Sequence, residues 1–414
     1  MKALVYDISP VRWVVCKAAG AVTKRAYFGS LSPLRLVERP VPTLPGPDWV
    51  RLKTRLGGIC GTDFALILQR NHPATILQQF SRFPAVLGHE NVAIIDAVGS
   101  DAADWPIGRR VCVDPALGCA ARGNEPVCDQ CRLGRTSLCE HPGDDRFPPR
   151  VLLGLNPLTG GSWAEFFLAH VSQLHAVPDR MTDEAAVLVD PVASAAHAVL
   201  RRPPRSGEAV LVNGSGVIAL GVIAAIRALG LDNRITAVVR HPFQAESAMA
   251  LGATRALVHP RRWTMRDRFA SIAADVNGVR LAGRFGNQAL IGGYAVTYEC
   301  TGSPQGLSSA LKWTRARGTV VAAGTTGIAR IDTTPFWFDE LEVVGANGRQ
   351  VELVDGRRLH SYDLVFEWIT SGRLDLSKMV VARYPLSEYR RALVDLLDRS
   401  RNRFIKAVFA PDGP

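Results

Sequence analysis

The stretch VLVNGSGVIA at residues 210–219 decides the fold of the second half of this 414-residue chain. An apolar strand-like run leads into a loop of small residues, and a helical run follows it. Small residues let the backbone approach a pyrophosphate, and the free N–H groups of the helix start favour its negative charge. The residues predicted to contact a dinucleotide here are Gly214, Ser215, Gly216, Val217 and Ile218.

The pattern of the sequence on both sides of this loop supports the same interpretation. From about Pro191 to Ala346 apolar strand patterns alternate with helical ones, as in ITAVV, AVTYEC and GTVVAAG. Such repetition predicts a doubly wound parallel α/β sheet, the Rossmann arrangement. The segment from Arg261 to Tyr294 is longer than an ordinary crossover, so an insertion is expected there.

The end of the next predicted strand, at residues 235–239, indicates which dinucleotide is bound. An NAD site usually has a carboxylate here for the ribose 2′-hydroxyl, but this chain continues with Arg240 and His241. Arginine can pair with the 2′-phosphate of NADP instead. We therefore expect NADP to be favoured over NAD, with a solvent-facing loop cation at Arg240 as the alternative.

A second group of candidates lies upstream, where short β-rich runs from Pro33 to about Asp114 predict a compact, mostly antiparallel β domain. Cys60 follows one such run and His89 precedes another. Thiolate and imidazole are zinc ligands, and a catalytic zinc site uses three protein ligands and keeps one position open. The third ligand is expected to be Asp190, directly or through water. Glu90 is the alternative ligand, or a carboxylate that tunes the metal's charge.

Two of these residues have plainer interpretations. Asp190 precedes Pro191 and an apolar helical run, which is also how an ordinary helix begins. Thr62 lies two residues after Cys60, where its hydroxyl can pass a proton outward from the reacting group. A threonine in a turn can equally bond its own backbone. The residues alone leave both alternatives open.

Four cysteines form a separate cluster in a stretch without hydrophobic periodicity, at about 115–149. They are Cys119, Cys128, Cys131 and Cys139. Four thiolates within 21 residues suit a closed structural zinc site, which would hold together a loop that has no other support.

Composition excludes several classes of protein. Hydrophobic residues make up 47% of the chain and charged residues 21%, as in a globular protein able to bury a core. The net charge of +11 comes from scattered basic residues rather than a block, so no nucleic-acid partner is expected. No apolar run reaches the roughly 18–20 residues of a membrane helix, and the first residues do not resemble a signal peptide. We expect a cytoplasmic protein with no membrane partner.

Together these motifs resemble the zinc-dependent medium-chain dehydrogenase/reductase superfamily, which includes alcohol, sorbitol, glucose and threonine dehydrogenases. The resemblance is carried by CGTD at 60–63, GHE at 88–90, the cysteine cluster, DP at 190–191 and GSGVIA at 214–219. It implies a GroES-like catalytic domain over 1–190, a Rossmann domain over 191–346, and a C-terminal return to the catalytic domain over 347–414. It also implies a homodimer or homotetramer.

The resemblance assigns roles to individual residues. Cys60 and His89 match the first two catalytic-zinc ligands, and Thr62 matches the proton-relay hydroxyl. Asp190 stands where polyol and sugar members usually carry glutamate, one methylene longer. Ala65 stands where many alcohol dehydrogenases have a relay histidine, so the proton needs another exit.

The structural-zinc cluster departs from the family pattern at one position. Cys128, Cys131 and Cys139 match the last three ligands by spacing. The usual first cysteine is Glu125 here, and Cys119 is expected to replace it across a longer loop.

These features predict a zinc-dependent, NAD(P)-linked oxidoreductase that interconverts a small-molecule alcohol and its carbonyl by hydride transfer. The carboxylate-type metal site favours a secondary alcohol, polyol or sugar over ethanol. A zinc-free quinone or enoyl reductase would leave Cys60 and His89 unexplained. An NADP-binding sensor or scaffold without turnover is the alternative from another class, because the relay histidine is missing and Asp190 is altered.

Overall fold

The structure is a computed structural model that describes residues 1–412. The chain forms two compact units. The first contains Met1–Asp190, Arg349–Phe366 and the described residues from Val380 onward, and the second contains Pro191–Gly348 and Glu367–Met379. The domain boundaries expected at 190/191 and 346/347 stay predictions.

The strands and helices are numbered in chain order. The strands are β1 Lys2–Tyr6, β2 Leu34–Glu38, β3 Trp49–Gly58, β4 Ala85–Val86, β5 Glu90–Val98, β6 Arg110–Val113, β7 Phe166–His170, β8 Leu174–Ala176, β9 Val210–Asn213, β10 Ile235–Val239, β11 Arg255–Val258, β12 Val279–Ala282, β13 Gln288–Ile291, β14 Tyr294–Glu299, β15 Thr314–Ala322, β16 Glu342–Gly345, β17 Val351–Val354, β18 Arg357–His360, β19 Val381–Pro385 and β20 Lys406–Ala410. The helices are α1 Pro10–Val22, α2 Gly61–Ile67, α3 Cys119–Arg122, α4 Asp129–Arg132, α5 Asp183–Val187, α6 Val189–Arg201, α7 Val217–Ala228, α8 Pro242–Ala250, α9 Met265–Val276, α10 Pro304–Trp313, α11 Thr334–Phe338, α12 Ser361–Thr370, α13 Tyr389–Asp395 and α14 Arg399–Asn402. Among the residues described, no helix has both the length and the apolar composition that crossing a membrane requires.

The first unit is built on a seven-stranded sheet in the order β19-β20-β3-β5-β6-β8, with β7 also pairing with β3. All of these pairs are antiparallel except β19 with β20. In the pairing of β3 with β5, Gly58 lies opposite Glu90. Two segments distant in sequence, the one after β3 and the one before β5, therefore meet at the same end of the sheet. The predicted β-rich domain is confirmed.

The second unit contains a six-stranded, fully parallel sheet in the order β11-β10-β9-β14-β15-β16. Counted from β9, this is the strand order 3-2-1-4-5-6 of dinucleotide-binding folds. Every residue of β9, β10 and β14 is buried, as expected for strands covered by helices on both faces. The predicted Rossmann arrangement is confirmed, and its order reverses between β9 and β14, next to the 214–216 loop.

The long segment at 261–294 consists of an ordinary crossover helix and one extra element. Helix α9 is the crossover, and the extra element is a two-stranded antiparallel ribbon of β12 and β13 that is separate from the main sheet. Leu290 anchors the ribbon in the core of the unit beside Phe269 and Trp313.

Candidate functional site

The first unit brings three of the predicted metal ligands together. The candidate ligand atoms of Cys60, His89 and Glu90 all lie within 4.8 Å of one another. His89 and Glu90 are buried, and Cys60 is partly exposed. Zinc sits about 2.0–2.3 Å from thiolate, imidazole and carboxylate ligands, so a group this compact can converge on one ion.

Local backbone geometry explains why these residues meet. Cys60 is the N-cap of α2, directly after β3. Gly88 precedes His89 with φ of +97°, and a Cβ there would lie 2.3 Å from Trp163 Cδ1. Glycine is thus required at this turn for two reasons, the left-handed backbone and the close contact. The turn delivers His89 and Glu90 to the end of β5 beside Cys60.

The imidazole of His89 is oriented by Asp63, a residue that the motif contains but that spacing alone did not single out. Asp63 Oδ1 lies 3.4 Å from His89 Nδ1, and the other carboxylate oxygen accepts the backbone N–H of Cys60 at 3.2 Å. Burial lowers the pKa of His89, but the negative Asp63 and Cys60 outweigh it and raise that pKa well above its usual value. A carboxylate behind a histidine fixes the ring orientation of metal-binding imidazoles.

Glu90 has a buried basic partner that lies far away in sequence. The Lys406 ammonium group on β20 contacts Glu90 Oε2, and both side chains are almost completely buried. Gly58 makes this contact possible, because a Cβ there would lie 2.3 Å from Glu90 Oε2 and 3.2 Å from Lys406 Cε. No sequence pattern predicted Lys406.

Asp190 lies outside this compact group. One of its carboxylate oxygens contacts the guanidinium of Arg349, and the other accepts a hydrogen bond from the hydroxyl of Tyr362. All three residues are buried. Burial and the charge of Asp190 together raise the pKa of Tyr362 well above its usual value, so Tyr362 stays a donor. Thr62 is exposed in the first turn of α2.

The four clustered cysteines also converge, with all four sulfur atoms within 4.8 Å of one another. Cys119 Sγ lies 3.7 Å from Cys139 Sγ, which is not a disulfide distance. Backbone N–H groups of Cys119, Cys128 and Glu140 point at cysteine sulfur atoms at 3.4–3.5 Å. Glu125 is exposed. The donor set is that of a closed zinc site.

Buried Arg122 holds together the segment at about 115–149 that carries the four cysteines. Its guanidinium donates to the backbone oxygens of Leu117 and Pro148, each at 2.7 Å, and lies over the ring of Phe147. Hydrogen bonds and a ring contact of Arg122 therefore stabilise this segment in addition to its cysteines.

In the second unit, the 214–218 loop has the features that a pyrophosphate requires. Gly214 has φ of +144°, and a Cβ there would lie 3.1 Å from Cys300 Cβ. Gly216 is the N-cap of α7 and offers no side-chain cap, so the first N–H groups of the helix stay available. A Cβ at Gly216 would meet no atom within 4 Å, which leaves room beside the helix start.

A glutamine links this loop to the end of β10. Buried Gln244 donates to Ser215 O at 3.1 Å and accepts the backbone N–H of His241 at 3.1 Å and of Arg240 at 3.3 Å. Arg240 is exposed. Partial burial and the positive charges of Arg261 and Arg268 lower its pKa, so three guanidinium groups share one region. The sequence signal for Gln244 was its place three residues after the helix N-cap.

Comparison with known families gives the same two parts. Residues 46–179 match the family model "Alcohol dehydrogenase GroES-like domain", and residues 217–359 match "Zinc-binding dehydrogenase". Among curated relatives, sorbitol dehydrogenase of Bacillus subtilis is 25% identical over 391 residues, covering 94% of this chain and 97% of that one. Sorbitol dehydrogenase of Arabidopsis thaliana is 26% identical over 364 residues and covers 88% of each chain.

Solved structures share the fold over the same length. 2R,3R-butanediol dehydrogenase from Bacillus subtilis superposes with a TM-score of 0.70 at 23% identity, covering 99% of both chains. A putative zinc-binding dehydrogenase from Sinorhizobium meliloti, bound to NADP, superposes with a TM-score of 0.67 at 24% identity. The match covers 91% of this chain and 95% of that one. With both family models matched in order and relatives aligned along nearly its whole length, the chain belongs to the zinc-dependent medium-chain dehydrogenase/reductase superfamily.

Proposed function

We propose that this protein is a zinc-dependent, NAD(P)-linked dehydrogenase that interconverts a secondary alcohol, polyol or sugar and the corresponding carbonyl compound. The observation that carries the proposal is the convergence of Cys60, His89 and Glu90 on one point, with Asp63 behind the histidine. Three ligands with a fourth position open is the pattern of a catalytic zinc site. When bound there, zinc supplies a Lewis acid that lowers the pKa of a substrate hydroxyl.

The arrangement favours Glu90 over Asp190 as the third ligand. Glu90 contributes an oxygen to the compact group, whereas both oxygens of Asp190 are occupied by Arg349 and Tyr362. Removing Asp190 from Arg349 would leave a buried guanidinium without its partner, which is costly. Asp190 is then a counter-ion in the wall of the catalytic unit, and any link to the metal runs through water.

The remaining residues hold the reacting group and move its proton. Asp63 keeps His89 in one orientation, and Lys406 balances the charge of Glu90. Thr62 is exposed two residues after Cys60, so its hydroxyl can carry the proton of a substrate hydroxyl outward to water. This route takes the place of a relay histidine, because position 65 is an alanine in this chain.

We infer that the cofactor is NADP in preference to NAD. The 214–216 loop and the start of α7 would hold the pyrophosphate. At the end of β10, Arg240 is joined by Arg261 and Arg268, a density of positive charge suited to a 2′-phosphate and unnecessary for a ribose hydroxyl. Gln244 holds the two loops in register through its three backbone hydrogen bonds.

The proposed reaction is tested by nicotinamide absorbance with NADP and NAD in turn. The panel consists of secondary alcohols, diols, polyols, sugars and 3-hydroxy acids, each with and without a chelator. We expect turnover that the chelator abolishes and added zinc restores. Turnover that persists after complete removal of zinc would refute the metal-dependent mechanism.

Cys60→Ala separates catalysis from simple nucleotide binding. This variant is expected to lose turnover and one zinc ion per chain while it still binds NADPH, measured by fluorescence. Cys16→Ala is the matched control, because Cys16 is buried in an apolar cluster and belongs to neither candidate metal group. A wild-type protein that binds NADPH but turns over no member of the panel would favour the sensor interpretation.

A further inference from the structure

The outward face of helix α1 in the first unit is apolar along its whole length. The residues that form it follow the i, i+3, i+4, i+7 and i+11 spacing of one helix face and are all exposed: Val11, Val14, Val15, Ala18 and Val22. Val22 is 89% exposed and Val11 75%. A surface helix normally turns polar residues to solvent, so an apolar outward face indicates a surface that is covered in use.

The inner face of α1 is packed on the core, so the helix cannot turn its valines inward. Cys16 and Gly20 are buried, and a Cβ at Gly20 would lie 2.2 Å from Tyr27 Cζ. Glycine thus allows the helix to approach the tyrosine ring closely. Cys16 and Tyr27 belong to the same apolar cluster as Phe64 of α2. The exposure of the valines is therefore a consequence of tight packing on the opposite side of the helix.

Two hydrogen bonds attach α1 to the segment that follows α2. The side-chain amide of Gln69 donates to Trp13 O at 3.2 Å, and Lys17 Nζ donates to Gln69 O at 2.5 Å. The ammonium group of Lys17 also lies 5.8 Å from the centroid of the Trp13 ring. Helix α1 is thus anchored to the first unit along one side only.

The charged residues in and around α1 are all basic. The stretch from Ile8 to Val37 contains no aspartate or glutamate, and its basic residues are Arg12, Lys17, Lys24, Arg25 and Arg35. By helical periodicity Arg12 and Lys17 border the apolar face on its two sides, and the exposed Lys24 and Arg25 follow its end. An apolar helix face with a basic border is the pattern of helices that lie on anionic lipid surfaces.

Charge and composition disfavour two other occupants of this face. A second copy docked face to face would bring the basic borders of both helices together, and like charges repel. A protein partner is usually held by aromatic or arginine anchors at the centre of the contact, but this face consists of valine and alanine. The acyl-chain region of a lipid surface has no fixed shape, so it can cover such a face without an anchor.

We propose that α1 docks the protein on an anionic lipid surface, with its valines in the acyl-chain boundary and its basic border at the headgroups. The helix is about 20 Å long and lies in the plane of the interface. The sequence led us to expect no membrane partner, because no apolar run is long enough to span a bilayer. A helix that lies on the surface does not need that length. The proposal does not depend on the catalytic assignment.

Co-sedimentation of the zinc-loaded full chain with vesicles tests the proposal. Vesicles rich in phosphatidylglycerol are compared with vesicles of phosphatidylcholine alone, at low and at high salt. We expect binding to the anionic vesicles, weakened by high salt because exposed charges are then screened. Binding to the neutral vesicles should be much weaker, since each basic residue near the headgroups contributes about a fivefold increase in affinity.

Val14→Asp tests the apolar face. It should reduce binding to the anionic vesicles at least about tenfold, because loss of the valine and the added negative charge act in the same direction. Ile107→Asp is the matched control, because Ile107 is 66% exposed and lies in the connection between β5 and β6. The control should bind nearly as the wild type does. Circular dichroism and thermal unfolding check that both variants are folded.

Lys24→Gln tests the basic border separately. It should reduce binding to the anionic vesicles about fivefold and leave binding to the neutral vesicles nearly unchanged. Lys53→Gln is the matched control, because Lys53 is also exposed but lies on β3. The control should change binding to either kind of vesicle little.

Four outcomes would overturn the proposal. The wild type could fail to bind anionic vesicles at low salt, or bind neutral and anionic vesicles equally. Val14→Asp could bind as tightly as Ile107→Asp, or Lys24→Gln as tightly as Lys53→Gln. Loss of self-association in Val14→Asp, measured by sedimentation velocity without lipid, would assign the face to a second copy instead.

Discussion

Lys406→Met tests the buried charge pair beside the candidate metal site. Methionine keeps much of the length of the lysine side chain and removes its charge. Glu90 then loses the ammonium group that contacts it, in a place where both side chains are at most 3% exposed. Breaking a buried ion pair on one side costs about 3–5 kcal/mol, because a buried charge stays uncompensated. That cost is a large fraction of a typical stability of about 5–15 kcal/mol.

The structure also predicts how this cost depends on zinc. Gly58 lies tightly against both members of the pair, so little space is available for a water to replace the ammonium group. In the zinc-free protein, residues 1–412 show no other salt bridge to Glu90, and the full loss is expected. With zinc bound, the ion offsets the charge of Glu90 and the loss is smaller. By linkage, each 1.4 kcal/mol of difference between the two forms equals about tenfold tighter zinc binding in the variant.

Thermal unfolding of both forms, together with zinc competition against a chromogenic chelator, measures these quantities. For a unit of about 150–250 residues a loss of 3–5 kcal/mol lowers Tm by roughly 6–20 °C. Lys53→Met on the neighbouring strand β3 is the control, because Lys53 is exposed and should change stability by no more than about 0.5 kcal/mol.

The double variant Lys406→Met with Glu90→Met, in the zinc-free protein, tests whether the lost stability comes from the uncompensated charge of Glu90. Replacing both partners by apolar groups should recover most of the lost stability. The reasoning is refuted if Lys406→Met is as mild as the Lys53 control in both forms, or if the double variant is no more stable than the single one.

Three further predictions follow from the two units. Arg240→Ala should raise KM for NADP about 10- to 100-fold, the value of a charge-assisted hydrogen bond, and leave KM for NAD nearly unchanged; equal effects on both cofactors in steady-state kinetics would contradict the 2′-phosphate assignment. Cys128→Ser should remove one zinc ion per chain, measured by elemental analysis, and expose residues 115–149 to limited proteolysis; unchanged zinc content would rule out the structural site. Burial and the charge of Arg268 lower the pKa of His259 from 6.5 to about 4. Because the pKa of His259 is lower in the folded than in the unfolded state, its contribution to the free energy of unfolding is complete above pH 6.5 and decreases as the pH falls toward 4. Below pH 4 the total loss is about 3 kcal/mol. His259→Gln should flatten this part of the curve in urea titrations, and an unchanged slope would exclude His259 as its source.

Local sequence was sufficient for the features that depend on local physics. The loop at 214–216 needs small residues between a strand and a helix, and that requirement is visible in any single chain. The four clustered cysteines are close in sequence, so their convergence needed little more than a loop of the right length. The strand–helix alternation after Pro191 likewise predicted the parallel sheet.

Other features depend on chain segments that are far apart. Glu90 and Asp190 are both carboxylates at plausible positions, and the sequence favoured Asp190 as the third ligand, with Glu90 as the alternative. Antiparallel pairing of β3 with β5 places Glu90 beside Cys60, while the fold gives Asp190 the partners Arg349 and Tyr362. Which of the two carboxylates can be the third metal ligand therefore depends on strand register and on how the buried charges are paired.

The amino-acid sequence alone supplies the chemical groups: thiolates, an imidazole, a phosphate-binding loop and a cationic strand end. The folded chain selects which of the charged groups neutralise one another. Lys406 reaches Glu90 from the last strand, and the packing of α1 on Tyr27 turns the apolar face of that helix outward. Coulomb interactions and burial depend on distance in space, and residues far apart in sequence acquire that distance only when the sheet is assembled.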